Sequence, residues 1–134
     1  MKRKEIDLFE KIYSQMESLH NEISALSKKA PNDGVNKFKL RFINKVLEEA
    51  NKLLKDKYKP FVDFQSFDED ELPTNSDGIM ILAQYINCME KLRADNIKED
   101  DNWPATAQWY WTIDSKQSEI RTSPPKKISK DRKW

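Results

Sequence analysis

Six apolar residues near the amino terminus, Phe9, Ile12, Met16, Leu19, Ile23 and Leu26, follow one another at steps of three, four, three, four and three. This is a heptad seam, and a helix is the regular structure that gathers such a series on one side. The spacing predicts a helix over residues 4–29 with a narrow apolar stripe and a wide wet face of Glu, Lys, Gln, Ser and Asn. A stripe of that kind needs a partner. The expected partner is another helix of the same chain, and the alternative is a symmetric homodimer through the helix 1 seam.

Pro31 and Gly34 break the pattern, and KFKLRFINKVLEEANKLLKDKY resumes it with Phe38, Phe42, Ile43, Val46, Leu47, Ala50, Leu53 and Leu54 as a broader apolar stripe. That breadth predicts packing against two neighbours. Lys37, Arg41, Lys45, Lys52 and Lys55 form a lysine-rich face diluted by Glu48, Glu49 and Asp56. Faces of this composition also meet nucleic acid, which gives one alternative functional reading.

Phe61, Phe64 and Phe67 then recur at three-residue spacing ahead of four consecutive acids, Asp68 to Glu71. The phenylalanines are expected to plug the open end of a helical core, each contributing about 1.5 to 3 kcal/mol on burial. A calcium loop is excluded because FDEDELPTNSDG sets its ligands and glycine at the wrong spacing. Ser76 is the expected N-cap of a third helix over residues 78–97, which is apolar nearly all round in its first half and holds Cys88 as a small core residue.

WYWTI, Trp109 to Ile113, has aromatic and β-branched density that favours a strand, with EIRT returning as the second strand of a hairpin. In that arrangement Trp109 and Trp111 share one face and Tyr110 takes the other. The alternative is a short fourth helix opened by Asn102 and Pro104. With only 2 glycines in 134 residues, sandwiches and barrels rich in tight turns are disfavoured. The expected fold class is therefore mainly α: a three-helix bundle with a C-terminal aromatic β-hairpin (or short fourth helix) and a basic tail. Residues 1–122 form a single expected domain, and 123–134, with two prolines and a cluster of cations, a flexible tail.

The lone cysteine excludes an internal disulfide, and no cationic leader with an apolar stretch opens the chain, so a cytoplasmic setting is expected. No apolar run reaches the roughly 18 residues of a membrane span. Abundant Lys, Asn and Ile hint at an AT-rich source such as a low-GC bacterium or its phages. The net charge of +1 conceals segments of +5 (residues 1–59), −8 (60–101) and +4 (102–134).

Catalytic groups are scarce: one histidine, His20, beside the seam, one cysteine, no glycine-rich phosphate loop and no paired His or Cys spacing for zinc. No catalytic residue, metal or cofactor is expected. The leading expectation is a non-enzymatic protein-binding module, a small helical regulator or inhibitor docking on a larger partner, of the type carried by phages and mobile elements. The alternative is a nucleic-acid-binding accessory protein using the basic tail and the Lys face of helix 2. Candidate partner-binding residues are Tyr110, Trp109, Trp111, Asp68, Glu69, Asp70 and Glu71. Candidate polyanion-binding residues are Lys126, Lys127, Lys130, Arg132 and Lys133.

Overall fold

The structure, a computed structural model, describes residues 1–100 and 108–126. Three helices come first, α1 (Arg3–Lys29), α2 (Lys37–Tyr58) and α3 (Asn75–Ala94). Three strands follow, β1 (Ile97–Asp100), β2 (Gln108–Ile113) and β3 (Lys116–Thr122), in an antiparallel sheet of order β1-β2-β3. The protein is mainly α, as its periodicities predict. The C-terminal element is a three-stranded sheet instead of a lone hairpin, and β2 and β3 occupy the segment for which a fourth helix was the alternative.

The chain divides into two compact units, one of Phe9–Met89 and one of Met1–Leu8 with Glu90–Trp134. In the first unit the seam residues Phe9, Ile12, Met16 and Ile23 are buried within a single chain, together with Leu40, Ile43, Leu47, Leu54, Leu82 and Tyr85. Leu19 and Leu26 are half-buried. The central residues of the helix 1 seam are thus covered within the chain itself. Gly78 marks a close approach: a Cβ there would meet Val35 at 3.4 Å and Ile23 at 3.7 Å.

Helix ends follow capping chemistry. Asn36 opens α2, its Oδ1 accepting from the amides of Phe38 at 2.9 Å and Lys39 at 3.3 Å. The cap of α3 is Thr74 instead of the expected Ser76, because Thr74 Oγ1 accepts from the Asp77 amide at 3.0 Å. The neighbouring loop fixes this choice: Thr74 forms an isolated β-bridge with Gly34, and the amides of Val35 and Asn75 bond Pro73 O and Asp33 O, both at 2.8 Å. At its other end α3 stops at Ala94, three residues short of the expected Ile97. Asn96 turns its side chain back to Leu92 O at 2.8 Å, and its own carbonyl accepts from the amide and hydroxyl of Thr112.

In the second unit β2 is the central strand, pairing Ile97 with Trp111 and Glu99 with Trp109 on one side. On the other side Tyr110 faces Arg121 and Thr112 faces Gln117, so three residues of β3 stand opposite Trp111 alone. Ser118 fills the gap in this bulge. Its hydroxyl donates to Trp111 O at 2.7 Å and accepts from the Ile120 amide at 3.1 Å, replacing the ladder bonds that the extra residues disrupt.

The hairpin turn joins Ile113 to Lys116 through Asp114 and Ser115, with φ of 53° and 64°. Two consecutive positive φ values in a two-residue loop make a type I′ turn, which matches strand twist but strains residues bearing a Cβ. Ser115→Gly removes roughly 1 to 2 kcal/mol of strain and adds about 0.5 to 1 kcal/mol of unfolded-chain entropy. It is therefore expected to stabilise the protein by about 0.5 to 1 kcal/mol. A denaturant midpoint that falls would contradict this account of the turn.

Candidate functional site

The outward face of α2 carries the largest exposed aromatic feature among the described residues. Phe38 is 62% exposed and Phe42 49%, and their rings meet edge to face with centroids 5.0 Å apart. The expectation that both belong to the core stripe is corrected. At ~100° per residue each lies about 200° from Leu40, on the side of the helix away from the core. The same rotation places Arg41 and Lys45 beside them, both exposed.

Beneath Phe42 lies an open cleft of about 300 Å³ lined by Arg41, Phe42, Asn44, Lys45, Glu48 and Glu69. Glu69 reaches it because two asparagines of α2, one two-turn step apart, hold the connection to α3. Buried Asn44 donates to Phe67 O at 2.9 Å and accepts from the Phe67 amide at 2.8 Å, pairing with the loop backbone as a strand would. Asn51 donates to Gln65 O at 3.0 Å and accepts from the Tyr85 hydroxyl at 2.8 Å. The Phe64 ring meets Phe67 at 5.1 Å and Tyr85 at 6.5 Å, both edge to face. The three phenylalanines thus fasten the loop, Phe61 meeting Phe64 at 6.4 Å, and all are half-buried.

From this anchor the acids project outward. Asp68, Glu69, Asp70 and Glu71 are all exposed on a turn closed by the Asp68 carboxylate, which accepts from the Asp70 amide at 2.9 Å. The α2 face and the acidic turn therefore lie on either side of one cleft, the first basic and aromatic and the second acidic. Both can form charge-assisted contacts around a hydrophobic centre.

The other candidate residues belong to the second unit. Trp111 is fully buried, so in this arrangement its side chain packs and offers nothing to a partner. Trp109 and Tyr110 are half-buried on opposite faces of β2, with Tyr110 in register between Lys98 and Arg121. Lys126 is exposed, while Lys127, Lys130, Arg132 and Lys133 lie outside the described residues.

His20 stands half-exposed on α1. Cys88 is half-buried instead of fully enclosed, and burial pushes its thiol pKa up, the direction opposite to that of an activated nucleophile. Burial likewise pushes up the pKa of the Tyr85 hydroxyl, which donates to Asn51. Among the described residues no group of three His, Cys, Asp or Glu is placed to hold a metal ion, and no helix is long and apolar enough to cross a membrane.

No protein-family model, curated protein or solved structure matches this chain.

Proposed function

We propose that this chain is a non-enzymatic protein-binding module that docks through the outward face of α2. One observation carries this reading: two adjacent phenylalanines remain largely in water on a helix whose opposite side is well buried. Each ring, about half of it still in water, would gain about 1 to 2 kcal/mol on full burial, so an interface covering both has a ready source of affinity. Arg41 and Lys45 beside the rings supply a polar rim that sets orientation and speeds encounter.

The test is the double variant Phe38→Ala/Phe42→Ala. Because the rings are exposed, its folding stability should stay within about 1 kcal/mol of the parent. Loss of two central aromatics should weaken docking by about 2 kcal/mol or more. Affinity-tagged parent and variant would be recovered from source cells and their companions quantified by mass spectrometry. A companion retained equally by both would refute the α2 face as the docking surface.

A further inference from the structure

We infer that the partner of the α2 face is a second copy of this chain, in a two-fold dimer centred on the cleft between α2 and the acidic turn. The inference rests on the protein-binding reading and deepens it by naming the occupant.

Charge is the argument. Arg41 and Lys45 on one side of the cleft and Glu69 on the other, with Asp70 and Glu71 next to it in the acidic turn, are exposed and have no ion-pair partner among the described residues. Elsewhere in the same unit cations do find partners, as Lys39 does with Glu22 at 2.6 Å and Lys52 with Glu49 at 3.1 Å. Among the described residues two cations and the carboxylates of the acidic turn are thus left unpaired at the cleft beside the exposed Phe42 ring, with Glu48 of α2 unpaired between them.

This bipolar layout selects against simple partners. A polyanion drawn to Arg41 and Lys45 meets Glu48 and Glu69 in the same cleft, and a polycation meets the converse. A matching surface must carry both signs and an apolar centre. Another copy of this chain, turned about a two-fold axis through the cleft, carries them at the required spacing. Arg41 and Lys45 of each copy then face the acidic turn of the other, and the Phe42 rings approach across the axis. Each favourable contact is made twice, as an isologous interface requires. Leu72, 44% exposed at the end of the acidic turn, adds apolar area at the rim.

Sedimentation velocity of the full chain over a dilution series tests the inference, with two charge-reversed variants. Arg41→Glu/Lys45→Glu inverts the basic side, and Glu69→Lys/Glu71→Lys inverts the acidic side. All four positions are exposed, and circular dichroism and thermal melting would confirm that each variant folds. The parent should dimerise reversibly, with a dissociation constant that rises at least ~10-fold between low and high salt. Each reversed variant alone should be monomeric. Their equimolar mixture should recover dimer, because every contact across the two-fold axis then joins opposite charges.

A parent that stays monomeric up to the highest concentration would overturn the dimer, as would variants that dimerise like the parent or a mixture that does not. If the parent were monomeric while the Phe38→Ala/Phe42→Ala variant lost a co-purifying protein, docking by α2 would stand and its occupant would be a different protein. If a monomeric parent bound a single-stranded oligonucleotide through Arg41 and Lys45, both readings would fall.

Discussion

Trp111→Ala is expected to reduce folding stability by about 3 to 5 kcal/mol, the range of large aromatic truncations in a packed interior. Trp111 is the largest fully buried side chain among the described residues and sits on the central strand of the sheet. It lies in register with Ile97, and its carbonyl is held by the Ser118 hydroxyl that bridges the bulge. Truncation therefore leaves a cavity under the point where β3 already departs from regular pairing, and the bulge gives that region little means to close around it. Tyr110→Ala, one residue away and half-buried on the opposite face, should cost distinctly less. Paired denaturant titrations decide the matter. Equal midpoints for the two variants would mean that the buried face of β2 does not support the sheet.

The second large effect concerns a charge pair. Glu90 and Arg93 are both buried, one turn apart on α3, with Nη1 to Oε1 at 3.3 Å. Neither carboxylate oxygen of Glu90 accepts a hydrogen bond among the described residues, so the guanidinium is its counter-charge. Arg93→Met keeps the volume but leaves a buried carboxylate facing no cation, and should cost about 3 to 5 kcal/mol. Replacing both, as Glu90→Leu/Arg93→Met, removes the uncompensated carboxylate and should recover part of that loss, the remainder reflecting the further interactions of Arg93. A double-mutant cycle in urea reads the coupling directly. If Arg93→Met alone were as stable as the parent, Glu90 would have to be reached by water or by another cation.

What could be read from the chain and what could not divide along physical lines. The α1 seam and the core stripe of α2 were legible because burial repeats with the helical period, and β2 because WYWTI concentrates strand-forming side chains. β1 was not: in Ile97–Asp100 three of four residues are charged, and the segment is a strand because β2 offers it an edge. The turn at Asp114 and Ser115 hid for a different reason, since it adopts a glycine conformation without glycine. Thr74 and Ser76 are equivalent caps in sequence, and the bridge from Gly34 decides between them. The burial of Glu90 and Arg93 has no local signal in the sequence, because it comes from tertiary structure. The exposed Phe38 and Phe42 were readable in principle: projecting α2 at the helical angle separates them from the core residues, whereas counting apolar positions merges the two sets.

The grip of Asn44 and Asn51 on the connection to α3 has a consequence for how this surface can change over generations. Both amides hold main-chain atoms, the Phe67 amide and carbonyl and the Gln65 carbonyl, and so they are indifferent to side-chain identity at the positions they fasten. Given the aromatic plugs and the Asp68 carboxylate that closes the turn, residues 69 to 71 are free to exchange their acids for other residues while the course of the turn is retained. Such a segment behaves as a replaceable cassette. Its recognition chemistry can drift, or be redesigned, at little cost to the scaffold, because the residues that fix the loop and the residues that meet the outside world are different ones.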